Sequence, residues 1–156
     1  MDWTLFPVFA LAVLAAWLGL SLVVRNPRDG VTRAFGWLSL HLTIYALMTA
    51  LAPLTASAQV ARGALAVQAL ESVVLPPVFL DFILAVRAPQ HRRRWQRVVL
   101  WAFYVVGALM AAYALFGPGM IQERAILRFP PGLLAWLWVA QRALPLLLAL
   151  ALMLAS

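Results

Sequence analysis

Five stretches of this chain are apolar for long enough to cross a lipid bilayer, and that constrains the fold more than any motif does. A hydrocarbon core of about 30 Å takes about 20 residues at a helical rise of about 1.5 Å per residue. The runs lie near Leu5–Val24, Ala34–Leu51, Gly63–Val86, Val98–Phe116 and Leu133–Leu154. Each is apolar continuously, whereas the strands of a membrane barrel alternate over about ten residues. The expected fold is therefore all-α: a single bundle of five transmembrane helices over residues 1–156, with no soluble domain and no internal repeat.

Composition points the same way. The chain is 65% hydrophobic and 11% charged, with a mean hydropathy of +0.94, whereas soluble domains are roughly half apolar and a quarter charged. All twelve basic side chains are arginines, set against five acids for a net charge of +7. They gather at the ends of the apolar runs, where they set orientation and meet anionic head groups, so the positive balance does not imply nucleic acid. The absence of cysteine excludes disulfides, thiolate metal sites and cysteine nucleophiles. Met1-Asp2-Trp3 lacks the positive start of a cleaved signal peptide, so the first run is expected to stay in the protein.

Charge asymmetry gives the bundle a direction. The links after runs one and three hold eight arginines (25, 28, 33, 87, 92, 93, 94 and 97), against Arg62, Arg124 and Arg128 on the other side. The positive-inside rule then puts the N-terminus outside and, after five spans, the C-terminus in the cytoplasm. Arg87, Arg92, Arg93, Arg94 and Arg97 read as a topology signal and a contact for anionic lipids at the cytoplasmic face. Trp3, Trp95, Trp101 and Trp136 fall near expected interfaces, while Trp17, Trp37 and Trp138 lie deeper and are expected to pack inside. Small residues recur four apart at Ala12/Ala16, Ala15/Gly19, Gly107/Ala111 and Ala108/Ala112, a spacing that lets helices approach closely.

Ionisable residues at membrane depth are functional candidates by default. At helical rise, Glu71 and Arg142 fall about 12 and 13 Å below the outer edge, and His41 about 16 Å. A pair between Glu71 and Arg142 is expected, with His41 and Tyr45, one turn apart, as further members of a sensing or structural polar cluster. Pro76 and Pro77 interrupt the third helix and free the carbonyls of Ser72 and Val73; Pro145 frees that of Gln141. These three prolines are the expected kinks. A guanidinium's donors suit a carboxylate and a loose carbonyl together. His41 is open to three readings: a hydrogen-bonded packing residue, a weak candidate ligand for haem or a (bacterio)chlorophyll magnesium, or a pH-responsive group. Asp81 is expected near head-group water or Arg87. In the outer link, Glu123, Arg124, Arg128 and Phe129-Pro130-Pro131 form a solvated loop or a small ligand lip.

No Gly-rich phosphate loop, His-Glu-x-x-His, Gly-x-Ser-x-Gly or metal-ligand spacing occurs. The expectation is a protein that is not an enzyme, with no catalytic residues, no metal site and no resident cofactor apart from the His41 contact.

Three short motifs carry a resemblance: Asn26-Pro27-Arg28 in the first link, Arg33-Ala34-Phe35 opening the second run, and Leu75-Pro76-Pro77-Val78-Phe79-Leu80-Asp81-Phe82 in the third. With Pro131-Gly132 before the fifth run, the chain resembles the N-terminal seven-transmembrane region of bacterial histidine kinases, of which it spans the first five helices. The resemblance implies a non-catalytic signal-input domain of the bacterial inner membrane, with spans three and five holding the sensing pocket. The family's chemistry lies in an output domain that this sequence does not contain, so the chain is expected to be either part of a longer protein or a stand-alone relative. The alternative expectation is an accessory subunit of a larger respiratory or photosynthetic membrane complex, with His41 near a pigment and other membrane subunits or a second copy as partners.

Overall fold

A computed structural model describes residues 5–87, 94–116 and 133–154. They form five helices: α1 (Phe6–Arg25), α2 (Gly30–Leu54), α3 (Ala58–Arg87), α4 (Arg94–Phe116) and α5 (Leu133–Leu154). The fold is all-helical, and α1, α2 and α3 are each long and apolar enough to cross a membrane. His91, Arg92 and Arg93, together with Trp3, Arg124, Arg128, Glu123 and Phe129–Pro131, lie outside the described residues.

The helix ends follow from local chemistry. Asn26 closes α1, its N–H bonding the carbonyl of Leu22. Asp29 then caps α2: one carboxylate oxygen accepts from the Thr32 N–H at 2.8 Å and the Thr32 hydroxyl at 2.7 Å. The cap satisfies donors that the first helical turn leaves without partners. These bonds, the Thr32 hydroxyl first, hold the Asp29 carboxyl below its ordinary pKa. Between α2 and α3 the turn is tight: Ser57 N–H bonds the Thr55 hydroxyl at 3.3 Å, and the Val60 N–H bonds the Ser57 hydroxyl at 3.4 Å. So short a link makes α2 and α3 antiparallel neighbours.

Helix α3 is the hub. It packs against α2, α4 and α5, whereas α1 packs against α2. A core at one end of α3 joins Leu80, Ile83 and Leu84 to Leu100 of α4 and Ala149 of α5. Phe35 and Phe82 meet with ring centres 5.6 Å apart and planes tilted by 58°, and tie α2 to the same end. Pro76 and Pro77 are both buried inside α3, yet the helix continues through them for 30 residues. The expected interruption is thus absorbed: the prolines cost hydrogen bonds to two carbonyls, and the helices packed around them hold the path.

Trp17 and Trp37 depart from the expected inward packing, being 64% and 60% exposed. Lipid tails are as apolar as a protein interior, so nothing drives an indole inward. Trp95, Trp101 and Trp136 are exposed as well. The side chain of Trp138 is not described.

Candidate functional site

Polar groups from four helices meet around the middle of α3. Glu71 lies about 20 Å along α3 from Ala58 at helical rise and is 4% exposed. Its carboxylate oxygen sits 2.7 Å from Nδ1 of His41 on α2. The contact is an ion pair when the imidazole is protonated and a hydrogen bond from Nδ1–H when it is neutral. The His41 side chain keeps 21% of its surface exposed, and Trp37, one turn away, lies 6.2 Å from it between ring centres. His41 is therefore anchored on one nitrogen and partly open on its rim.

The next residue along α3 engages α5. Ser72 donates its hydroxyl to the Ala69 carbonyl at 2.7 Å and accepts from a guanidinium nitrogen of Arg142 at 2.5 Å. The pair expected between Glu71 and Arg142 thus takes another form: the acid meets His41, and the arginine meets the neighbouring serine. Residues 71 and 72 point about 100° apart on a helix, so consecutive positions reach different neighbours. Tyr45, one turn beyond His41 on α2, is half-buried. Its carbonyl accepts from Thr49 at 2.8 Å, and the Thr49 hydroxyl in turn accepts from Gln68 at 3.1 Å. A second cross-link between α2 and α3 results, about one turn from the first along α3 and about two along α2.

Gln141 completes the layer and was not among the expected residues. It is 4% exposed and donates to the Phe103 carbonyl of α4 at 2.7 Å. A methyl group built on Gly107 would lie 3.1 Å from the Gln141 amide and 3.4 Å from the Val73 carbonyl, one of those freed by the proline pair. Helix α4 therefore approaches α3 closely where the backbone has lost a partner. Position 141, beside Arg142 within an apolar run, was the available sequence signal.

The arginines expected at the end of α3 divide. Arg87 donates to the Met153 carbonyl of α5 at 2.5 Å, not to Asp81, and so ties the end of α3 to α5. Arg94 and Arg97 are exposed on the first turn of α4, and Asp81 is half-buried. Among the described residues no three His, Cys, Asp or Glu side chains converge as metal ligands. What the arrangement offers is proton exchange and polar recognition: an imidazole–carboxylate pair, a guanidinium–hydroxyl contact and an amide, all within about a turn of helix.

Comparison with protein-family models, curated proteins and solved structures finds no match.

Proposed function

We propose that the chain is a non-catalytic signal-input module of a bacterial inner membrane, of the kind that precedes bacterial histidine kinases, with five spans and its N-terminus outside. The observation that carries this reading is the polar layer on α3. One buried acid and the serine beside it bind α2 and α5 respectively, so any event that changes one contact acts on the helix that positions the other. A ligand or a change in the bilayer biases such an element by favouring one arrangement of its contacts.

The test places spin labels at the ends of α3 and α5 in the full chain, in nanodiscs of two lipid thicknesses. An input module gives two distance populations whose ratio changes with thickness and with Glu71→Gln. One invariant population under every condition refutes the reading. The second reading, an accessory subunit carrying a pigment, draws on the open rim of His41. A purified protein with no haem or chlorophyll absorption rules out the pigment; fixed-stoichiometry copurification with redox or pigment subunits rules out the input module.

A further inference from the structure

We propose that the groove between α1 and α2 is a binding site for one anionic diacyl phospholipid, with its phosphate at Arg33 and one acyl chain running inward. The groove has a volume of about 500 Å³, within the range of about 300–1,000 Å³ typical of small-molecule sites. It is charged at one end only. Arg33 stands at its mouth, and its walls are built by Ala16, Leu20, Val23 and Leu40. Of the hydroxyls further in, that of Thr43 is already bonded to the carbonyls of Ser39, at 2.7 Å, and Ala12, at 3.3 Å.

Length and charge select the occupant. Arg33 to Thr43 is about 15 Å at helical rise, which is one leaflet of the hydrocarbon core. A transmembrane helix from a partner would need a surface that continues through the second leaflet, and the groove stops halfway. Arg33 alone of the arginines lines the groove; Arg25, in the last turn of α1, and Arg28, in the link that follows, lie close to it in sequence, and all three are exposed. The one carboxylate in that link, Asp29, has Arg33 nearby but spends its hydrogen bonds on Thr32. Three guanidiniums against one engaged acid favour a phosphate without a compensating cation, as in phosphatidylglycerol, over a zwitterionic head group. The site does not rest on the signal-input reading: its charged residue, Arg33, is no part of the layer on α3, and the two adjoin only at Trp37, which lines the groove and lies beside His41.

Native mass spectrometry of the full chain, loaded with phosphatidylglycerol or phosphatidylcholine of identical acyl chains, tests the site. The expected result is one phosphatidylglycerol retained about five-fold or more over phosphatidylcholine, the effect of at least one surface arginine on anionic-lipid binding. Arg33→Gln removes that preference, Arg62→Gln at the opposite membrane face leaves it intact, and Ala16→Phe, which fills the groove, lowers retention of both lipids. Equal retention of the two lipids by the unaltered chain overturns the proposal, as does a preference unchanged by Arg33→Gln. A cross-linked second copy seated between Ala16 and Leu40 also overturns it. Arg33 is exposed in the first turn of α2, so its variant tests the site even if Ala16→Phe fails to fold.

Discussion

The contact between His41 and Glu71 has an energetic consequence that distinguishes a working pair from two polar residues that happen to be close. At 2.7 Å, with the carboxylate side chain 5% exposed, the bond is at the short end for its type and lies where water does not replace it. Removing one partner of a fully buried charged pair costs about 3–5 kcal/mol, because the remaining group is stranded. His41 keeps 21% of its side chain exposed, so the pair is not fully buried. The single changes His41→Leu and Glu71→Leu should therefore each cost about 2–3 kcal/mol, below that range. The double variant removes both polar groups together and should cost no more than either single, since an apolar pair of similar volume is often as stable as a buried ionic one. The cycle then gives a coupling of at least about 2–3 kcal/mol, above the ~0.6 kcal/mol average for hydrogen bonds between membrane helices. Reversible unfolding in mixed detergent micelles, followed by circular dichroism, measures all four proteins. Additive costs, within about 0.5 kcal/mol, would show that the two side chains act separately and that α2 and α3 are held by something else.

Three further outcomes follow from other contacts. A methyl group on Gly19 meets the Ser39 Cβ at 2.4 Å, and one on Gly36 meets the tip of Val23 at 2.4 Å. Gly19→Ala should destabilise by about 1–3 kcal/mol and Gly36→Ala by less, because Val23 has a rotamer to give, while Gly63→Ala, with nothing within 4 Å, should be neutral or stabilising by up to about 1 kcal/mol; thermal unfolding of the three variants ranks them. Ser72→Ala should cost about 0.5–1.5 kcal/mol by removing a hydroxyl that accepts from Arg142, and Ser72→Thr should recover most of it in the same assay. Because its folded pKa lies below 3.8, Asp29 contributes stability that is present above that value and is lost as the pH falls through its lower folded one. The stability difference between the unaltered chain and Asp29→Asn should therefore be constant from pH 7 to 5 and shrink below about 3.8; a difference that grows on acidification contradicts the capping role.

Much of this architecture is legible in the sequence because membrane helices announce themselves by length. The expected runs 5–24 and 133–154 lie within a residue of α1 and α5, and Asn26-Pro27 with Asp29-Gly30 marks the first turn. Runs 34–51 and 63–86 are shorter than α2 and α3, since helices continue past the hydrocarbon edge into residues such as Thr32 and Arg62 that hydropathy excludes. Depth was legible too, because residue counts place His41, Glu71 and Arg142 near one level. Azimuth was not. Which of two consecutive residues on α3 faces α2 and which faces α5 depends on how the helices are arranged around it, and no count along the chain supplies that. Gln141 was missed for a related reason: an amide carries no charge to flag it, and its importance arises only where Gly107 lets α4 approach.

The two ways in which helices are joined here reflect the solvent they share. Lipid tails give no hydrophobic drive for one apolar helix to meet another, so association rests on close packing and on polar contacts. Helix α1 relies chiefly on the first, with one hydrogen bond from the Thr43 hydroxyl to its Ala12 carbonyl: Ala12 and Gly19 are its buried residues, and Gly19 and Gly36 sit where any side chain would collide. Helix α3 uses the second as well, through Gln68 and Glu71 toward α2 and Ser72 toward α5. Packing of the first kind is indifferent to protons and ligands, whereas contacts of the second kind change with either. The responsive element proposed above is therefore placed on α3. The α1–α2 face is suited to a fixed task, and a groove that opens at an arginine and closes one leaflet deep is consistent with holding a lipid in place.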